Sequence, residues 1–260
     1  MTTAPEATKL ILTERRDGIF TITINRPAVK NAVNHEVAEQ LGAALDTLDA
    51  DPGLLVGVLT GAGGTFCAGM DLKAFARGER PVLPGRGFGG LTRDTVKKPL
   101  VAAVEGWALG GGFELALACD LIVAAEDARF GFFEVKRGLV PSEGGLIRLP
   151  KRVPYYAATR VLLTGEPIPA AVAHQYGLVS ELVPAGKALQ TARELARRIA
   201  QNAPLALGAV KQVLQASQGL DDSEAFARQD KLIAGLFSSQ DAHEGATAFA
   251  EKRPPHWQGR

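Results

Sequence analysis

The chain has 260 residues, 46% of them hydrophobic, enough for one sizeable domain with or without a small appendage. Its 29 basic and 28 acidic side chains leave a formal charge of +1, which excludes a general nucleic-acid surface. Cys67 and Cys119 form no CxxC pair, no run of ~18 apolar residues marks a membrane helix, and no signal peptide opens the chain, so a cytoplasmic protein without disulfides is expected.

Ile19–Ile24 alternates Phe20, Ile22 and Ile24 with Thr21 and Thr23, which predicts a half-buried strand. Asn34 is placed to cap a helix in which Val37, Leu41, Leu45 and Leu48 recur at helical spacing. Leu54–Leu59, Leu100–Val104 and Leu121–Ala125 are short continuous apolar runs, as expected of strands covered on two faces. The alternation of such runs with helical segments predicts an α/β architecture with a parallel or mixed sheet. Residues 77–98 are rich in Gly, Pro and Arg without periodicity and read as a long mobile loop, either functional or a surface excursion. After about Gly186 the strands stop, and helices are expected over 187–202, 204–217, 221–238 and 241–251.

Two predicted strands run into glycine-rich turns, VGVLTGAGGTFCAGMDL (56–72) and VAAVEGWALGGGFELALACD (101–120). The second turn opens a helix, whose first N–H groups are free to meet a ligand, and glycine lets the backbone approach closely. Two such groups from separate loops can grip one carbonyl oxygen, while the plain alternative is that the glycines only permit tight turns. GxGxxG, P-loop and GxSxG motifs are absent, and the four histidines are scattered without a metal pattern. Glu114 and Glu134 each lie among apolar residues, where a carboxylate is costly unless it is paired or used. The plain alternatives are a helix-dipole contact for Glu114 and a salt bridge to Lys136 or Arg137 for Glu134.

The blocks NRPAVKNAV, LTGAGGTFCAGMDLK, KPLVAAVEGWALGGGFELALACDLIVA, RFGFFEVKRGLVPSEGG and EGATAFAEKRPP, in this order, resemble the enoyl-CoA hydratase/isomerase (crotonase) family from about Ile19 to Trp257. Within it, the look is nearest to carnitinyl-CoA dehydratase-like members. The resemblance implies a spiral ββα core over 1–200 carrying an acyl-CoA site, and a C-terminal helical region over 201–260 that builds homotrimers or hexamers. It implies an oxyanion hole from the N–H groups of Met70 and Gly111. It also implies two acid–base glutamates, Glu114 and Glu134, which share the attacking water, with Glu134 exchanging the α-carbon proton. The loop Ala68, Gly69, Asp71 and Leu72 and the basic Lys252 are implied to bind coenzyme A. That group is part of the substrate, so no separate cofactor and no metal is expected.

The reaction so implied is hydration of a 2-enoyl-CoA; carnitinyl-CoA dehydration and double-bond isomerisation are the alternatives within the family. A non-catalytic scaffold or RNA-binding homologue is the alternative outside it. Retention of both glutamates favours water chemistry. Met70 is bulkier than the small residue common at its position and is expected to narrow the acyl pocket. Trp107 is read as packing. Glu143 is read either as facing a polar or cationic substrate or, preferably, as capping the helix that follows Pro141.

Overall fold

Asp17 and Gly18 take left-handed backbone, φ 53° and 74°, and turn Ile11–Arg16 (β1) back onto Ile19–Ile24 (β2). The computed structural model describes residues 9–93 and 96–260. Residues 1–8, read above as free of a signal peptide, and 94–95, within the expected 77–98 loop, lie outside the described residues. Helix α1 (His35–Ala50) starts where the sequence puts its cap: the Asn34 side chain accepts the Val37 N–H, and Val37, Leu41, Leu45 and Leu48 are buried. The next strand, β3, runs over Val56–Gly61, two residues later than its apolar run suggests, because Leu54 packs in the connection instead.

From β3 the chain repeats one path three times. The first pass runs through β3, then Cys67, then the short helix α2 (Leu72–Ala76). A small hairpin of β4 (Val82–Leu83) and β5 (Gly87–Phe88) follows. The second pass is β6 (Leu100–Val104), β7 (Trp107–Leu109) and α3 (Gly111–Ala118). The third is β8 (Leu121–Ala125), β9 (Arg129–Gly131) and a 3-10 turn over Glu134–Arg137. Each pass adds a strand to one sheet, crosses to a second, and then turns into a helix or helical turn. Cys67 bridges Ala108, and β7 pairs in parallel with β9, so the second sheet grows in step with the first.

Helices α4 (Gly145–Arg152) and α5 (Tyr155–Thr164), strand β10 (Ile168–Pro169), helix α6 (Ala170–Gln175) and strand β11 (Glu181–Val183) complete this part. Strand order in the large sheet is β1-β2-β3-β6-β8-β11, with β1 antiparallel and the other pairings parallel. The small sheet is β10-β9-β7.

Successive residues of the large sheet face opposite ways. Phe20, Ile22, Leu59, Ala102, Val104 and Ile122 enter the main core with α1 and α3. Ile19, Val56, Val58, Val101, Ala103 and Val123 face α7 (Ala188–Ala200). That helix presents Ala188, Ala192 and Ala196, four residues apart, so it lies close against the sheet. Both faces are therefore covered, which is why the central strands read as unbroken apolar runs. The chain ends in α8 (Pro204–Ala216), α9 (Asp222–Ile233) and α10 (Gln240–Glu251). Among the described residues no helix is long and apolar enough to cross a membrane.

The 77–98 segment differs from the mobile loop expected. Phe88, Leu91, Thr92 and Val96 are buried, and the hairpin packs along α1. Its glycines serve a fixed shape: Gly85, Gly87, Gly89 and Gly90 all hold left-handed φ, so no hydrophobic period is visible.

Candidate active site

The three passes end beside one another, and they bring together Met70, Gly111 and Glu134, each two or three residues past the crossing into the small sheet. A Cβ built on Gly69 would stand 3.2 Å from the Gly111 nitrogen and 2.7 Å from the Leu109 oxygen, so the first two turns touch. Among the described residues the N–H groups of Met70 and Gly111 reach no acceptor. For Gly111 the cause is its place at the start of α3, where no preceding helical carbonyl exists.

Each glycine of the triplet has its own steric reason. Gly110 holds φ 54°, and a Cβ there would lie 2.8 Å from Glu134 Oε1. A Cβ on Gly111 would lie 2.5 Å from the Phe88 ring, and one on Gly112 would lie 2.2 Å from the Cys67 oxygen. The left-handed backbone belongs to Gly110; Gly111 is glycine because Phe88 covers it.

Glu114 lies in the first turn of α3 and is 3% exposed. Its Oε1 accepts the Glu143 N–H at 2.7 Å and the Gly145 N–H at 2.9 Å. The helix start it serves is thus that of α4, one pass further on, rather than that of its own helix. Burial pushes its pKa up to about 7, with Glu134 and Glu143 adding to the push and the two N–H bonds offsetting part of it. Glu134 opens the 3-10 turn, and its Oε2 is buried without a hydrogen-bond partner. Burial raises its pKa as well, and Arg137 opposes the rise. The expected alternative of a salt bridge to Lys136 or Arg137 is not realised; those side chains stand over the Phe133 ring, at 5.5 and 6.0 Å.

Aromatic packing fixes the two carboxyls relative to each other. Phe113, next to Glu114, stacks on Phe132 at 4.8 Å and meets Phe130 at 5.2 Å. Such pairs contribute about 0.5–1.5 kcal/mol each beyond burial. Two carboxyls with raised proton affinity beside two free N–H donors can bind a carbonyl oxygen and move protons next to it.

The other expected residues divide. Ala68 and Gly69 lie in the turn that touches Gly111, with their own N–H groups used on Lys30 O and Cys67 Sγ. Asp71 is committed within the chain: it caps α2 through the Lys73 and Ala74 N–H groups and pairs with Arg26 at 3.1 Å. Leu72 is exposed at the start of that helix. Lys252 is exposed at the C-cap of α10, and no hydrogen bond or ion pair among the described residues joins it to the 68–72 turn.

Glu143 does not cap the helix after Pro141. The α4 cap position is Gly144, without a side-chain cap bond, and the Glu143 carboxylate instead binds Phe88, Thr92 and Arg93. The sequence reading missed Phe88, the aromatic in GRGFGG; an aromatic enclosed by glycines in a segment without periodicity was the available signal. A cavity of about 990 Å³ lies past the C-terminal end of α3, where Thr92, Arg93, Glu143, Arg148, Arg152 and Lys211 are among the residues that line it, and neither Glu114 nor Glu134 does.

Residues 14–260 match the family described as enoyl-CoA hydratase/isomerase. The chain is 42% identical to the enoyl-CoA hydratase EchA19 of Mycobacterium tuberculosis, over 96% of each chain. It is 41% identical to the carnitinyl-CoA dehydratase of Proteus mirabilis, over 94% of this chain and 97% of that one. Among solved structures it resembles an enoyl-CoA hydratase from M. tuberculosis at a TM-score of 0.94 and 55% identity, over 96% of this chain and 99% of the other. A carnitinyl-CoA hydratase from Mycobacterium avium gives 0.78 and 44%, over 96% and 99%.

Proposed function

The chain belongs to the enoyl-CoA hydratase/isomerase family, and from that premise we propose that it adds water reversibly across the double bond of a 2-enoyl-CoA. One arrangement carries the reading: the unused Met70 and Gly111 N–H groups share a pair of touching turns with the carboxyls of buried Glu114 and half-buried Glu134.

The thioester oxygen accepts from Met70 and Gly111. These donors hold it more strongly as it gains charge, because enolate formation moves an electron pair onto it. The pair of glutamates works with one proton between them. A water held by both attacks the β-carbon and loses a proton to the ionised Glu114, whose two N–H bonds support the negative form. Protonated Glu134 gives its proton to the α-carbon, and the enolate electrons form that C–H bond. The product is a 3-hydroxyacyl-CoA, and proton exchange with solvent resets the pair. No group beyond substrate and water enters the scheme.

Two carboxyls at one site favour hydration over isomerisation, which moves a single proton and needs one base. Glu143, engaged by Arg93, offers no free carboxylate to a cationic acyl group, which favours a plain enoyl chain over a carnitinyl one. The test is hydration of crotonyl-CoA, followed by loss of enoyl absorbance, beside crotonobetainyl-CoA. Turnover of crotonyl-CoA with a roughly hundredfold or greater loss in Glu114→Gln and in Glu134→Gln is expected. Faster turnover of crotonobetainyl-CoA would move the assignment to the carnitinyl reaction. No turnover of any enoyl-CoA would leave a non-catalytic homologue.

A further inference from the structure

The Glu143 carboxylate reaches a segment some fifty residues earlier in the chain. Its Oε2 accepts from Phe88 N at 3.1 Å, Thr92 Oγ1 at 3.3 Å and Arg93 Nε at 3.0 Å, and its Oε1 accepts from Arg93 Nη2 at 2.8 Å. From the next helix, Arg148 Nη2 donates to Thr92 O at 2.7 Å. The turn so held is rich in left-handed glycines, with φ 74° at Gly87, 60° at Gly89 and 67° at Gly90. Glycine backbone has little preference of its own, so this shape depends on what grips it. What the grip positions is Phe88, 3% exposed, whose ring lies against Gly111. The Glu143 N–H meanwhile donates to Glu114, so one residue touches the wall on one side and a glutamate of the site on the other.

We propose that Glu143 is a positioning residue for acyl-group specificity: it clamps the 87–93 turn so that Phe88 stands as a wall beside Gly111 and limits which acyl groups reach the donor. This rests on the assignment of Gly111 to the thioester oxygen. The clamp works through a charged acceptor with four donors on it, and a side chain that loses that role frees the turn while leaving the donors of the site in place.

The experiment joins an activity readout with one that needs no activity. In Glu143→Ala, amide hydrogen exchange across 87–93 rises tenfold or more. The ratio of kcat/KM for a γ-branched enoyl-CoA to that for crotonyl-CoA rises about tenfold, mainly through KM. Phe88→Ala shifts the ratio alike, and the double variant goes no more than about threefold beyond either single one, because the two act through one wall. Arg93→Gln, altered at an exposed residue, guards against misfolding of Glu143→Ala and shifts exchange and ratio about threefold in the same direction. Unchanged exchange and selectivity in a folded Glu143→Ala or in Arg93→Gln would overturn the proposal, as would multiplicative effects of Glu143→Ala and Phe88→Ala. Wild-type protein inactive on every enoyl-CoA would overturn the hydratase assignment instead, and the exchange measurement would still decide the clamp.

Discussion

Glu114 carries opposed demands on stability and activity. Its carboxyl titrates at about 7 in the folded chain against an ordinary 4.5. Between those values the native state holds a proton that the unfolded chain has lost, so stability falls as pH rises from 4.5 to 7 and is level above. At 1.36 kcal/mol per pKa unit the loss is on the order of 3 kcal/mol. Glu114→Gln is neutral at every pH and keeps the acceptor for Glu143 and Gly145. Urea unfolding at pH 8 is expected to show it more stable than wild type by roughly 1–3 kcal/mol, with little difference at pH 4.5, while hydration drops about a hundredfold. A less stable variant at pH 8 would contradict this account. Gly111 and Met70 make a second contrast. Met70→Ala keeps its N–H and should keep turnover while admitting bulkier acyl groups. Gly111→Val drives a side chain into Phe88, 2.5 Å from the ideal Cβ, and displaces the donor. A folded but nearly inactive Gly111→Val, by circular dichroism and steady-state kinetics, is expected, since one lost donor costs about 3–4 kcal/mol, or 10²–10³ in rate.

Among the elements, α8 is fastened to the core by charge. Lys211 Nζ lies 2.7 Å from Asp120 Oδ2 and 2.9 Å from Lys98 O, and Asp120 also accepts the Leu100 N–H that begins β6. Lys211 is 7% exposed, but Asp120 keeps 25%. Breaking a fully buried pair costs about 3–5 kcal/mol, and water reaching Asp120 should reduce that to roughly 2–3 for Lys211→Ala. Denaturant midpoints with an unchanged slope would report it, and an unaltered midpoint would mean that α8 is held by other contacts. The end of the chain is tied more gently: buried Asp241 accepts the Gln258 and Gly259 N–H groups, and Trp257 donates to Gln201 O.

At the scale of the whole molecule, large apolar side chains stand in the open. Phe226 and Phe237 are 61% and 75% exposed in the helical tail, and Tyr156 and Leu163 on α5 are 85% and 73%. Such surfaces are characteristic of interfaces. A homotrimer or hexamer is the proposed assembly, with α5 and the tail as its proposed contact surface. Light scattering should give three or six chains per particle, and Phe226→Glu with Phe237→Glu should lower that number. A full-length monomer would remove the proposal. Truncation after Asn202 is the poorer test, because it also strips Lys211 from Asp120.

The sequence by itself marked the strands that open the three passes and, through the family resemblance of its blocks, the candidate residues at their ends. Asn34, the apolar runs of β3, β6 and β8, the two glycine turns and the two glutamates among apolar neighbours are all local patterns, and a site built at equivalent points of a repeated path leaves repeated marks. Only the tertiary structure decided what those residues meet. Nothing near Glu143 in the chain indicates Arg93, and Phe88 among its glycines marks an unusual turn without saying that it packs on Gly111. The titration of Glu114 at about 7 likewise comes from burial and from carboxylates of the next pass. Pairing across fifty residues and removal of water depend on distances that close only when the sheets stack, and a local pattern carries no record of them.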